Sequence, residues 1–202
     1  MSENNDVVKA PVVRTTARVD RRILRTRDAL GDALISLIQE KSFDEVTVQE
    51  VLDRAGIGRS TFYAHYSDKD DLFFSDVEDF FGLMATLLNR QGAAVERVAP
   101  VRELFAHVSE ARGLRAALVA SGRMHEVLEL GRGIFAASIE QRLVVAGAEI
   151  EPSLLKPHAH ALAGSLFALL DWWLDHAMTM QPEEVDALFH RMVWTGVRPR
   201  IP

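Results

Sequence analysis

Apolar positions recur at spacings of three and four residues along most of the chain, and strand-like alternation is scarce, so the pattern predicts an all-α fold. Ile23, Leu30, Leu34, Leu37 and Ile38 form the first stripe, which suits one amphipathic helix from about Val19 to Glu40. Arg27 falls on the same face, and its charge is expected to reach solvent at the stripe's edge. Lys41-Ser42-Phe43-Asp44 closes the helix, and Phe43, apolar in a polar turn, is expected to tuck into the core.

A second helix is announced by Thr47-Val48-Gln49-Glu50, where Thr47 can accept from the backbone N–H of Glu50 while the Glu50 carboxylate reaches back to that of Thr47. Val48, Val51, Leu52 and Ala55 then fall on one face, and Gly56 sits where a left-handed helix end needs it. After Ile57-Gly58 the pattern predicts a short helix from Arg59 to about His65. Ser67-Asp68-Lys69-Asp70 is expected to cap a long fourth helix by the same Ser-x-x-acid logic. Leu72, Phe73, Val77, Phe80, Phe81, Met84, Leu87 and Leu88 form its stripe, to about Arg90.

The remainder is less sharply punctuated. Gly92 and Pro100 bracket a break, and helices are expected at about 101–111, 114–120, 123–146, 153–179 and 182–195. Gly131 and Gly133 weaken the third of these and are expected to bend or split it. Pro152, Pro157 and Pro182 suit first turns of helices. Internal repeats and low-complexity segments are not evident.

Charge changes the picture at the N-terminus. The 202-residue chain has a net charge of −6, which is a poor match to a polyanion. Yet Lys9, Arg14, Arg18, Arg21, Arg22, Arg25 and Arg27 face a single acid, Asp20. That local surplus of six positive charges leaves −12 for the rest of the chain. Residues 1–17 read as a flexible basic arm, either solvated or aligned along phosphates. A hydrophobic content of 48% and a charged content of 26% are those of an ordinary globular protein. With no cysteine, disulfides and thiolate metal sites are excluded. No apolar run approaches the ~20 residues of a membrane span, and the start of the chain lacks the pattern of a secretory signal. The expected location is the cytoplasm, with no membrane partner.

Two short helices joined by Gly56-Ile57-Gly58 have the shape of a helix-turn-helix, in which the second helix enters the major groove. Phe62 and Tyr66 are four apart and can pack inward with Ile57, which leaves Arg59, Ser60, Thr61, Tyr63 and His65 on the open side or ends. Arg can read guanine with two hydrogen bonds, and Ser and Thr can bond base edges or phosphates.

The run from Thr47 to Leu72 resembles the signature of the TetR family: a Thr-Val helix start, Ala55-Gly56-Ile57 before the turn, Thr61-Phe62-Tyr63, an aromatic at Tyr66, and Lys69 followed by Leu72. The likeness extends over roughly Arg21 to Phe81, with one departure at Gly58, where a Ser or Thr cap is common. It implies a three-helix DNA-binding domain (18–66) and a helical effector-binding and dimerisation domain (67–202). Thr47, Tyr63 and Lys69 then look like phosphate contacts, and Arg59, Ser60, Thr61 and His65 like the base-facing set, flanked by Arg18, Arg21 and Arg22.

The same resemblance implies a homodimer on a two-fold symmetric duplex, joined through the last two helices. Leu162, Leu166, Leu170, Trp173, Leu188 and Met192 are the expected interface. An unknown small effector is implied between the fourth helix and the C-terminal helices. Phe81, Met84, Leu88, Phe105, Met124, Phe135, Phe167 and Trp172 are its candidate contacts, with His125 and Asp171 as polar handles. No cofactor is implied, and repression is favoured because a bound dimer blocks polymerase without an activating surface. The rival readings are a helical enzyme, or an adaptor whose helix-turn-helix no longer touches DNA. Neither gains support from His158-x-His160 or Asp175-His176, since residues one or two apart on a helix do not share a face.

Overall fold

In the computed structural model the described residues are 16–90, 96–111, 116, 118–119, 121–176 and 179–195. The basic arm up to residue 15, and most of the helix expected at 114–120, lie outside them. Among the described residues the elements are α1 (Thr16–Glu40), a 3-10 turn (Phe43–Glu45), α2 (Val48–Ala55), α3 (Arg59–Tyr63), α4 (Lys69–Arg90), α5 (Val101–Glu110), α6 (Met124–Val145), α7 (Pro152–Asp175) and α8 (Pro182–Thr195). No helix among these residues is long and apolar enough to cross a membrane.

The α1 stripe buries Leu30, Leu34, Leu37 and Ile38 against α2 and α4, while Ile23 stays partly exposed beyond them. Arg27 does not run out to solvent as its place at the stripe's edge suggests. Its Nε donates to the Tyr66 hydroxyl at 3.1 Å, and its Nη2 to Ser75 at 2.9 Å and Asp79 at 2.7 Å. The helix α4 starts one residue off the expected register. Asp68 accepts from the N–H of Asp71, and the Asp71 carboxylate accepts from the N–H and hydroxyl of Ser67. Asp68 is therefore the capping side chain, and Asp71 reaches back past it to Ser67 rather than closing a reciprocal box.

The body is built on α6, which packs along α7 and against α4. Gly131 does not break this helix. A Cβ there would collide with the Phe167 ring and come within 2.8 Å of Phe81, so the glycine lets two phenyl rings reach the α6 backbone. Phe81, Phe135 and Phe167 stack edge to face around it with centroids 5.4–6.1 Å apart. Pro157 lies inside α7 rather than in its first turn, on the solvent side.

The residues expected around an effector are placed as follows. Phe105, Phe135, Phe167 and Leu88 are core, Met84 is half-buried, and His125, Asp171 and Trp172 are exposed, Trp172 stacked on His176. Of the expected contacts, Phe81 and Met124 do line a cavity, described below. The residues expected at a dimer contact divide between core and surface. Leu166, Leu170 and Trp173 point into the protomer, where Trp173 packs on Phe105 and donates to the Met180 carbonyl. Leu162 and Leu188 are half-buried, and Met192 is exposed.

Polar ties seat α8 at the far end. Arg97 bridges Glu103 and Asp186, the buried Arg142 guanidinium donates to the Arg97 carbonyl, and Trp194 donates to the Glu96 carbonyl.

Candidate nucleic-acid interface

The first of the two short helices is fixed by its own sequence. The Thr47 hydroxyl accepts from the N–H of Glu50 at 3.3 Å, and the Glu50 carboxylate accepts from the N–H of Thr47 at 2.9 Å and its hydroxyl at 2.8 Å. Lys41 adds an ion pair to Glu50 at 2.6 Å. The Lys41 ammonium and then the two Thr47 donors hold the Glu50 carboxyl down to about 2. At the other end Gly56 adopts φ 66°, and the N–H groups of Gly56 and Ile57 both donate to the Leu52 carbonyl. Only glycine takes that left-handed conformation without a Cβ penalty.

The second helix is one turn long and anchored by Phe62, which is fully buried. Tyr66 is buried beside it, its ring 5.8 Å from that of Phe62. With those two rings inward, Arg59, Ser60, Tyr63 and His65 are exposed and Thr61 is half-exposed. Tyr63 stands 52% accessible, edge-on to Phe62, so its hydroxyl points away from the core. Its helix ends at Tyr63, shorter than the span to His65 expected from the pattern, because the N–H groups of His65 and Tyr66 both turn back to the Phe62 carbonyl. Gly58 stands at the N-cap and supplies no side-chain bond.

Arg59, the expected base reader, is not loose. Its guanidinium donates to the Gln49 side chain at 3.0 Å, and Gln49 donates on to Asp53 at 2.8 Å. Gln49 thus holds Arg59 from α2, a contact whose only trace in sequence is Gln49 lying one turn before Asp53 on the outer face of α2. Arg54 pairs with Glu40 at 2.6 Å and bonds Ser36, tying α2 to α1.

Lys69 is placed differently from a phosphate contact. Its ammonium donates to the carbonyls of Phe43, Asp44 and Val46 at 2.7–3.1 Å and lies 4.7 Å from the Phe43 ring centroid. Three N–H bonds are all an ammonium has, so as placed Lys69 locks the 43–46 turn and offers no further donor. On the same ring lies the Arg123 guanidinium, 4.1 Å from the centroid and ion-paired with Asp70. Arg123, just before α6, thereby joins the body to the helix-turn-helix unit, and sequence carries no local sign of it. Arg22 is exposed near the start of α1; the side chains of Arg18 and Arg21 lie outside the described residues.

Residues 30–75 match the family model described as bacterial regulatory proteins, tetR family. The chain is 38% identical over 56 residues to the uncharacterised HTH-type transcriptional regulator YxbF of Bacillus subtilis, a match covering 27% of this chain and 15% of that protein. It is 44% identical over 68 residues to another HTH-type transcriptional regulator, from Haemophilus influenzae, covering 33% of each. The chain thus spans a third or less of the length of these curated relatives. Among solved structures, a TetR transcriptional regulator from Streptococcus agalactiae superposes with a TM-score of 0.59 at 27% identity, covering 89% of this chain and 99% of that one. The fatty acid degradation regulator FadR of Bacillus halodurans superposes with a TM-score of 0.59 at 17% identity, over 87% and 97% of the two chains, and shares the fold. Capped helix, glycine turn and buried Phe62 fall inside the segment that matches the tetR family of bacterial regulatory proteins, and the likeness of fold to a TetR transcriptional regulator runs nearly the full length.

Proposed function

We propose that this protein is a sequence-specific DNA-binding transcriptional regulator, a repressor that acts as a homodimer and leaves its operator when a small molecule binds. The observation that carries the reading is the division of α3: Phe62 wholly buried, with Arg59, Ser60, Tyr63 and His65 exposed along one polar edge. A one-turn helix with so little buried surface has no structural need for that edge, which suits the rim and floor of a major groove. Arg59 is the base reader, with Ser60, Thr61 and His65 beside it; Tyr63 bonds a phosphate, and Thr47 bonds another once its hydroxyl turns from Glu50. Lys69 supports the turn instead. Arg18, Arg21 and Arg22 add positive charge at the flank, where each phosphate contact would steepen the salt dependence.

One short reading helix spans few base pairs, so two copies about a two-fold axis are required for specificity. Ala161, Ser165, Ala168 and Trp172 form an exposed stripe along α7, and Met192 stands exposed on α8. We assign the dimer contact to this stripe, whose small side chains let a partner helix approach closely. The division at residues 66 and 67, between a reading domain and a body that pairs and senses, is part of the same reading.

Selection of bound duplexes from a random pool tests it. The expected product is a two-fold symmetric site; indifference to every duplex at low salt would reject the proposal.

A further inference from the structure

A cavity of about 730 Å³ lies where α1 crosses α4, with α5, α6 and α7 completing its walls. That volume is in the range of small-molecule sites. Its apolar surface comes from Phe73, Val77 and Phe80 of α4, Met124 and Val127 of α6, and Leu174 of α7. Its charged surface is mostly acidic: Asp28 and Asp32 from α1 and Asp76 and Asp79 from α4 stand against Arg27, with Gln39 and His107 the other polar lining residues.

Arg27 is already committed, to Tyr66, Ser75 and Asp79. Asp76 makes no hydrogen bond or salt bridge, nor do Asp28 and Asp32 among the described residues. Asp76 is the most enclosed of the three, with its carboxylate against the backbone of Gly31. A Cβ on Gly31 would collide with that carboxylate, so α1 is cut away at the one place that admits it. Burial, then the neighbouring Asp79, push the Asp76 carboxyl up to about 7, opposed by Arg27 and reinforced by Asp32 and Asp28.

From this geometry we propose that the cavity binds an apolar molecule carrying one ammonium group, with the ammonium paired to Asp76 and the apolar body among the phenyl rings. A cation supplies the partner that three carboxylates lack, and the faces of Phe73 and Phe80 attract it further. An anionic amphiphile would add a like charge to the same wall. Because α1 belongs to the helix-turn-helix unit and α4 to the body, the occupant touches both. This assignment rests on the reading that the chain responds to a small effector, and names its chemical class.

Isothermal titration calorimetry of the full chain with decyltrimethylammonium, below its micelle concentration, tests the assignment without DNA. Decyl sulfate and 1-decanol are the controls. At pH 7.5 the cation is expected to bind saturably and at least ten-fold more tightly than decyl sulfate. Asp76→Asn should weaken the cation at least ten-fold and leave decanol within two-fold. Asp32→Asn, at the exposed rim, should weaken the cation two- to five-fold and serves if Asp76→Asn folds poorly.

The probe's charge is permanent, so wild-type affinity should rise about ten-fold from pH 6 to pH 8 as Asp76 ionises. The groups facing Asp76 are Arg27, Asp28 and Asp32 from α1, Asp79 from α4 and His107 from α5, while α6 and α7 bring only apolar side chains. His107→Gln should keep the pH slope and Asp76→Asn should abolish it. Decyl sulfate binding as tightly as the cation, unchanged affinity in Asp76→Asn, or a flat wild-type pH profile would each overturn the assignment. A chain that binds a selected duplex but no cation defeats this assignment alone. One that binds the cation but no duplex defeats the DNA reading alone.

Discussion

The helix-turn-helix unit and the α4–α8 body are held together by different means. In the unit, polar ties do much of the positioning, Lys41 to Glu50, Arg54 to Glu40 and Arg59 to Gln49, and Lys69 at the start of α4 adds three bonds to the 43–46 turn. Most of these sit at the surface and fix angles rather than supply stability, since exposed pairs contribute little. In the body, Phe81, Phe135 and Phe167 meet from three helices, and Trp173 fills the space beside Phe105. Here buried area holds the structure, and these rings are hemmed in by one another. Between unit and body stand Arg27 and Arg123, each reaching across the joint.

The sharpest break of this contrast is Phe167→Ala. Removing a fully enclosed ring should cost about 3–5 kcal/mol and lower the Tm by about 6–20 °C, as calorimetry would show. A shift no larger than that of a surface substitution would mean that the body is not held by its aromatic core.

Next in size are substitutions on the reading edge. Arg59→Ala should lose about 1–3 kcal/mol of discrimination at one base position, while Tyr63→Phe weakens all duplexes alike. Both should leave the Tm nearly unchanged. Binding profiles on the selected site and its single-base variants separate the two, and exchanged outcomes would reverse the roles assigned to them.

Two carboxylates sharpen the comparison through pH, with opposite signs. Asp76 ionises near 7 when folded and near 3.8 otherwise, so its charge destabilises the native state progressively as pH rises from about 4 to 7. Asp76→Asn should therefore raise the Tm at pH 8, by about 2–6 °C, with the gain shrinking toward pH 4. Glu50, held near 2 against an ordinary 4.5, stabilises the fold above pH 4.5 and loses that contribution as pH falls to 2. Glu50→Gln should lower the Tm slightly at pH 7, with the difference gone near pH 2. Melting curves across that range check both, and a same-signed pair would contradict the placement of one of the two groups.

What was legible in the sequence follows the same division. Thr47 and Glu50 are three residues apart and Gly56 is next to the residue it caps, so their partners are local and their roles readable before folding. The orientation of α3 was readable too, because Phe62 and Tyr66 share one face, which turns Ser60 and Tyr63 outward, while Arg59 stands at the helix start. The cap of α4 slipped by one residue because Ser67, Asp68, Asp70 and Asp71 all offer suitable oxygens. Residue type misled in the body: Phe135, Phe167 and Trp173 are as suited to lining a site or an interface as to filling a core. Asp76 did leave a signal, a carboxylate between Phe73 and Phe80 on the apolar stripe, opposite a helical glycine at position 31.

The sequence by itself determined the all-helical class, the helix-turn-helix and the polar edge it presents, since each depends on periodicity or on partners within a few residues. The tertiary structure alone decided which face of α7 is inside, that Lys69 and Arg27 are tied rather than free, and where the cavity opens. Those outcomes turn on side chains brought together from helices tens of residues apart, whose approach is set by packing and by the absence of a Cβ at Gly31 and Gly131.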